Sequence, residues 1–142
     1  MTETFYAIIR IRGSSETDKD VEDTMLMLNL TRVNHCVVRK KTSSLDGMLR
    51  KASGNLTWGE ISKEMLEKLV EKKGRLPGEK RIDAKAAKEE VRKILSGEKC
   101  SIKNVFRLHP PSGGYRAIKM PFPEGDLGYR SDKINKLVGK MV

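Results

Sequence analysis

The segment from Val33 to Lys41 starts with apolar and β-branched residues and ends in three consecutive cations, Arg39, Lys40 and Lys41. The apolar half is typical of a half-buried strand. A strand that is anchored in a core at one end and charged at the other holds a cationic surface rigidly. We therefore expect the other elements either to pack against this strand or to extend its charged face.

The distribution of charge favours a polyanionic partner. With 29 Lys and Arg against 19 Asp and Glu, the 142 residues carry a net charge of +10. Residues 32–55 hold six cations and one anion (+5) and residues 101–142 hold eight and three (+5), whereas residues 1–31 hold three and six (−3). No apolar run approaches the roughly 18 residues of a membrane span, so nucleic acid is favoured over a membrane. We expect both cationic blocks to contact one RNA region together.

Hydrophobic periodicity predicts the element order β-α-β-α-β over residues 5–60, with helices covering one face of a small sheet. Strands are predicted from Phe5 to Arg12, in the segment ending at Lys41, and over residues 56–60. The first helix has an apolar stripe at i, i+4 and i+7, formed by Val21, Met25 and Leu28. The second has one at i, i+3, i+4 and i+7, formed by Leu45, Met48, Leu49 and Ala52. Met27 is also assigned to the core. Further helices are predicted from Ser62, from Asp83 and from Ser131, with Asp83 and Ser131 as caps in the way that Thr17 caps the first helix. A strand is predicted over residues 103–108.

The segment from His109 to Arg116 combines two prolines and two glycines with an aromatic residue and a guanidinium. The glycines allow a close approach of backbone to a ligand, Tyr115 can stack on a base, and Arg116 can pair with a phosphate. The alternative is a hairpin turn with a tyrosine at its rim. A second loop of similar composition runs from residue 121 to Arg130.

Catalytic chemistry has little support in this sequence. His35 and His109 are the only neutral-pH bases, and neither has a spacing that would recruit a nucleophile or metal. The two cysteines, Cys36 and Cys100, are isolated, and phosphate-binding glycine motifs are absent. The first residues lack the character of a secretory signal. We therefore expect a cytoplasmic protein that is not an enzyme and has neither metal nor cofactor.

Several segments, in the same order, resemble the family of ribosomal protein thirty of the large subunit. These segments are residues 6–13, 30–35, 45–49 and 58–59, followed by 106–115, 125–128 and 133–137. The last three are similar to the long archaeal and eukaryotic form of the family, whose eukaryotic counterpart is L-seven. The long basic amino-terminal extension of the eukaryotic members has no counterpart before Tyr6, so its contacts are in doubt for this chain.

The resemblance implies an α+β fold. Residues 1–60 would form a ferredoxin-like-related β-α-β-α-β core with a three-stranded antiparallel sheet covered by two helices. Residues 61–142 would form an extension of two further helices and a C-terminal hairpin plus helix, packed on the core. The family is a structural constituent of the large ribosomal subunit, so the implied partners are ribosomal RNA and neighbouring ribosomal proteins.

The candidate RNA-binding residues come from the resemblance and from the charged or glycine-containing segments described above. They are Arg10, Arg12, Gly13, Thr31, Arg32, Asn34, His35, Arg39, Lys40, Lys41, His109, Pro110, Pro111, Gly113, Gly114, Tyr115, Arg116 and Arg130. Two other functional classes stay open. One is a free RNA-binding regulator or ribosome assembly factor, which would wash off large subunits in high salt. The other is an RNA-modifying enzyme, which would need acid-base residues clustered in a pocket.

Overall fold

The computed structural model describes residues 5–13, 18–76, 80–81, 83–96, 105–115, 120 and 124–142. The strands are β1 (Phe5–Arg10), β2 (His35–Lys40), β3 (Leu56–Glu60), β4 (Arg75–Leu76), β5 (Lys80–Arg81), β6 (Val105–Arg107) and β7 (Gly128–Tyr129). The helices are α1 (Lys19–Met27), α2 (Ser43–Lys51), α3 (Lys63–Lys73), α4 (Ala84–Ser96) and α5 (Ile134–Met141), the last preceded by a 3₁₀ turn (Ser131–Lys133). The order predicted for residues 5–60 is confirmed.

Local side-chain chemistry explains where two of the helices begin. The hydroxyl of Thr42 accepts a hydrogen bond from the backbone of Leu45 at the start of α2. The hydroxyl of Ser62 does the same for Met65 at the start of α3. Each bond satisfies a backbone N–H that has no partner within the first helical turn. Thr17, the expected cap of α1, lies outside the described residues.

The main sheet has five strands in the order β6-β2-β1-β3-β7. Strand β1 lies at the centre and pairs antiparallel with β2 and β3, so the predicted three-stranded antiparallel core is confirmed. Strand β6 adds antiparallel to β2, and β7 adds parallel to β3. The α+β fold class is confirmed, but in one detail it differs from the expectation. The two C-terminal strands lie at opposite edges of the sheet, because each pairs with a core strand rather than forming a hairpin with the other.

Helices cover both faces of the sheet: α1 and α2 cover one face, as predicted for residues 5–60, and α3, α4 and α5 cover the other. On one face, Tyr6 and Ile8 of β1 pack with Met25 of α1 and Leu49 of α2. On the other face, Ala7 and Ile9 pack against residues from α3, α4 and α5. The predicted apolar stripes of α1 and α2 are largely buried, whereas Met27, which was assigned to the core, is 66% exposed. Met27 ends α1 on the side that faces away from the sheet.

Helix α5 can approach β3 closely because Gly59 has no side chain. A Cβ atom at Gly59 would lie 2.1 Å from the backbone oxygen of Ser131 and 2.8 Å from the Cβ of Ile134. The last helix is thereby packed directly on the sheet, with Ile134 and Val138 fully buried. Among the described residues, no helix combines the length and the apolar character that a membrane crossing requires. The division of the chain into residues 1–60 and 61–142 stays a prediction.

Candidate nucleic-acid interface

One end of the sheet brings together most of the residues that the sequence nominated. In the antiparallel pairing, Ile9 lies opposite Cys36, and His35 lies opposite Arg107. The residues that follow β1, precede β2 and follow β6 therefore meet at one edge of the molecule. We call this region the Asn34 end and define it as residues 10–13, 31–35 and 107–115.

Asn34 connects the three segments of this region. Its backbone N–H donates to the carbonyl of Arg10 at 2.8 Å, and its own carbonyl accepts from the N–H of Leu108 at 3.1 Å. Its side-chain Oδ1 accepts a hydrogen bond of 2.5 Å from the hydroxyl of Tyr115. Asn34 has a φ of 68°, in the left-handed region that asparagine tolerates better than most residues. This conformation lets one residue serve all three contacts.

Tyr115 is half-buried, and its position bears on the two alternatives for the loop. Burial, followed by the nearby charge of Asp126, raises the pKa of Tyr115 to about 12. Its hydroxyl is engaged with Asn34, and its ring packs against the core beneath α5. These contacts support a structural role for Tyr115. Stacking of this ring on an RNA base stays a prediction, and Arg116 lies outside the described residues.

The loop after β6 is held against the last helix by its backbone. The N–H of His109 donates to the carbonyl of Met141 at 3.1 Å, and that of Ser112 donates to the carbonyl of Lys140 at 3.3 Å. Gly113 and Gly114 have φ values of 83° and 75°, which explains why glycine occupies both positions. The surface offered by this loop consists of five exposed residues, His109, Pro110, Ser112, Gly113 and Gly114, whereas Pro111 is buried.

The Asn34 end has a positive electrostatic field. The pKa of His35 is lowered first by burial and then by Arg107, Arg32 and Arg10. The Nδ1 atom of His35 is buried and has no hydrogen-bond partner within the described part of the chain. The side chains of Arg32 and Arg107 are exposed, and Thr31 and Gly13 are exposed beside them. The arrangement can attract phosphate groups, because several cations face one small region.

Arg107 is the residue of this region that sequence reasoning missed. The sequence places it in a predicted strand over residues 103–108 and in the segment 106–115 that carries the resemblance, but not among the candidate RNA-binding residues. The available signal was its position immediately before Leu108 and His109, where the strand leads into the nominated loop. Its closeness to His35 follows from the antiparallel pairing of β6 with β2, which local patterns do not specify.

Arg10 is placed inside the protein. It is only 5% exposed, and its guanidinium donates to the carbonyls of Arg12 at 2.9 Å and Leu30 at 2.8 Å. Burial lowers the pKa of Arg10. These bonds fasten the end of β1 to the segment before β2, so geometry favours a structural role. Arg12 is half-exposed and reaches the carbonyl of Gly54 at 3.5 Å, which leaves part of its guanidinium at the surface.

Arg130 is likewise buried, at 6% exposure. Its guanidinium donates to the hydroxyl of Thr57 at 2.8 Å, and to the backbone carbonyl of Asp126 at 2.8 Å and its carboxylate at 3.3 Å. Burial lowers the pKa of Arg130, and the neighbouring Asp126 opposes this effect. Arg130 therefore joins the loop before α5 to β3. A direct contact with RNA by Arg10 or Arg130 stays a prediction that this geometry does not favour.

The cations at the end of β2 lie away from the Asn34 end. Lys40 pairs with Phe5 and Arg39 with Tyr6, at the beginning of β1. With a rise of about 3.3 Å per residue, Lys41 lies roughly 20 Å along the strand from His35. The expectation that this cationic end and the Pro110 to Arg116 loop contact one RNA region together stays a prediction, and such a region would have to span both ends of β2. The start of β2, not its charged end, is the part that adjoins the loop.

Residues 6–53 match the family model described as Ribosomal protein L30p/L7e. Curated relatives named "Large ribosomal subunit protein uL30" are similar along nearly the entire chain. The protein from Methanosphaera stadtmanae is 44% identical, with 96% of this chain and 99% of the relative covered. That from Methanococcus vannielii is 46% identical at the same coverage. That from Ignicoccus hospitalis is 41% identical, with both chains covered completely.

Proposed function

The chain belongs to the ribosomal protein L30p/L7e family, and from this membership we propose that it is a non-enzymatic, structural constituent of the large ribosomal subunit that binds ribosomal RNA. The observation that carries the proposal is the similarity to proteins named uL30 at 41–46% identity over 96–100% of the chain. The partners are large-subunit ribosomal RNA and neighbouring ribosomal proteins, within the ribosome in the cytoplasm.

The Asn34 end is the RNA contact that geometry supports best. It presents the exposed side chains of Arg32, Arg107 and His109 and the half-exposed side chain of Arg12. Seven exposed small residues lie in the same segments: Gly13, Thr31, Val33, Pro110, Ser112, Gly113 and Gly114. Arginine suits phosphate recognition because its guanidinium can donate two parallel hydrogen bonds. The exposed glycines allow a phosphate-sugar backbone to approach the protein main chain.

The proposed mechanism is displacement of counterions by a preorganised set of cations. Each Lys or Arg that neutralises a phosphate releases condensed counterions, which makes the affinity depend on salt. Because Asn34, Arg10 and Tyr115 hold the three segments in fixed positions, the backbone that carries the cations does not have to be ordered on binding. The rigid scaffold thereby determines which phosphates the cations contact. These phosphate contacts carry no information about the base sequence.

Sedimentation of the tagged protein on a sucrose gradient tests this function. We expect the protein to migrate with large subunits and to stay with them through a high-salt wash, as a constituent does. A matched Lys68→Ala variant, which loses one exposed charge on α3, should behave like the wild type. Release by the wash, or recovery with messenger RNA in light fractions, would instead identify a free RNA-binding regulator or assembly factor.

A further inference from the structure

A cleft of about 280 Å³ lies on the sheet face that α2 partly covers. Its floor consists of three aromatic rings, Tyr6 of β1, Trp58 of β3 and Tyr129 of β7. Its polar residues are Lys41, which follows β2, and two residues of α2, Asp46 and Arg50. The cleft lies near the charged end of β2, and thus on a different part of the molecule from the Asn34 end.

The three rings form a rigid platform with one accessible member. The ring of Tyr129 lies 6.2 Å from that of Tyr6 at an interplanar angle of 64°, and 6.4 Å from that of Trp58 at 39°. Tyr6 and Trp58 are only 3% and 7% exposed, whereas Tyr129 is 46% exposed. The hydroxyl of Tyr129 donates to the carboxylate of Glu60 at 3.0 Å, which fixes the ring. A ring held in this way offers a stacking surface without an ordering cost.

Two cations beside the platform, Lys41 and Arg50, can pair with an anionic group of a ligand. The Nζ of Lys41 lies 5.7 Å from the centroid of the Tyr6 ring. Within the described residues, neither Lys41 nor Arg50 forms a salt bridge. Asp46 is the carboxylate of the lining, and the Glu60 carboxylate that accepts from Tyr129 adds a second negative charge nearby, so an anionic group has to pair with Lys41 or Arg50 directly. The volume of the cleft is at the lower end of the range for ligand pockets, which suits one planar group.

We propose that this cleft binds a single unpaired nucleotide of RNA, with its base stacked on Tyr129 and its phosphate paired with Lys41 or Arg50. An aromatic platform beside cations is the combination that single-stranded nucleic acids require. The Asp46 carboxylate adds an acceptor for an exocyclic amine of the base. The inference rests on the proposed function, since it takes RNA as the partner. It also gives the cations at the end of β2 a role separate from that of the Asn34 end.

The emission of Trp58 reports directly on this cleft, because it is the only tryptophan in the chain. The test titrates the full chain with a single-stranded oligoadenylate of about six nucleotides, a length within the site sizes of single-strand-binding proteins. We expect saturable quenching of Trp58 by the single strand. A duplex of the same length should quench much less, because its bases are not available for stacking.

Three variants locate the effect. Tyr129→Ala should weaken oligoadenylate binding roughly 5- to 150-fold, the range that loss of one stacked base corresponds to. Tyr129→Phe keeps the ring and should stay within about threefold of the wild type. Lys41→Ala leaves the platform in place and should flatten the slope of log K against log salt by about 0.7. Lys68→Ala, on α3, is the charge-matched control and should bind as the wild type does.

A large-subunit rRNA fragment, titrated in parallel, separates failure of this inference from failure of the proposed function. If the fragment binds but Trp58 emission responds to neither RNA, the cleft is not a nucleotide site and the proposed function stands. If Tyr129→Ala and Lys41→Ala both bind oligoadenylate with wild-type affinity, the inference is also overturned. Emission that changes only on assembly into whole subunits would assign the cleft to a protein side chain. Failure of the fragment itself to bind would refute both proposals.

Discussion

Replacing Arg32 by alanine removes one exposed cation from the Asn34 end without disturbing the contacts that hold it together. The backbone carbonyl of Arg32 accepts a hydrogen bond from His35 at 3.3 Å, and this bond does not involve the side chain. Since the Arg32 side chain is exposed, the variant should fold with nearly unchanged stability. An effect of the substitution on affinity for a large-subunit rRNA fragment can then be assigned to the interface.

The expected magnitude follows from counterion release. One phosphate contact contributes about −0.9 to the slope of log K against log salt for duplex-like RNA, so Arg32→Ala should flatten the slope by about that amount. From about 50 mM to about 200 mM salt, the affinity ratio between wild type and variant should therefore shrink about 3.5-fold. Filter binding or fluorescence anisotropy at several salt concentrations measures both the slope and the ratio.

Lys68→Ala is the matched control because it lowers the net charge by the same amount but lies on α3. It should leave slope and affinity unchanged. Arg32 is also one of the groups that lower the pKa of His35, so NMR titration should show this pKa rising in Arg32→Ala and not in Lys68→Ala. A wild-type slope in Arg32→Ala would show that Arg32 touches no phosphate. Equal losses in the two variants would mean that binding depends only on net charge.

Three further predictions concern stability. Leu49→Ala should lower the free energy of unfolding by about 2–5 kcal/mol in urea denaturation, because the Leu49 side chain of α2 is fully buried against the sheet. A loss under about 0.5 kcal/mol would contradict this packing. Gly59→Ala should lower the free energy of unfolding by about 1–3 kcal/mol, because the added methyl group clashes with Ser131 and Ile134. The control is Gly47→Ala on α2, whose methyl group meets nothing within 4 Å and which should leave the stability unchanged or raise it. The pKa of His35 is lowered in the folded state from its ordinary value of 6.5. As the pH falls below 6.5, the unfolded chain therefore binds more protons than the folded chain, and the folded state loses stability. Thermal melting should therefore show a larger loss of stability below that pH for the wild type than for His35→Gln.

The elements of residues 5–60 were predictable because their signals are local. The alternation along β1 and the stripe formed by Leu45, Leu49 and Ala52 depend only on neighbouring residues. The edge strands were not predictable in the same way. Strand β7 has two residues, and its parallel pairing with β3 joins segments about 70 positions apart. A short strand of this kind is specified by its partner rather than by its own sequence.

The candidate site shows the same division between local and distant information. Arg10 is nominated as an RNA contact through the resemblance, and Arg130 through the composition of its loop, whereas both are buried. Their burial depends on oxygen acceptors supplied by other segments, such as the carbonyl of Leu30 and the hydroxyl of Thr57. The resemblance nominated segments now found together at the Asn34 end, whereas Lys41, nominated from the run of charge, lies at the other end of β2. Strand direction, not composition, decides which cations are neighbours.

The central position of β1 has a consequence for synthesis of the chain. Its two partners in the sheet are complete at Glu60, but the outer strands that pair with β2 and β3 end only at Arg107 and Tyr129. At about 5–20 residues per second, the 69 residues between Glu60 and Tyr129 take roughly 3–14 s to translate. The outer edge of β3 is unpaired during that time, and that of β2 until β6 is complete at Arg107, and such edges recruit strands from other chains. Nascent copies on one messenger are therefore most exposed to aggregation before the last quarter of the chain has emerged.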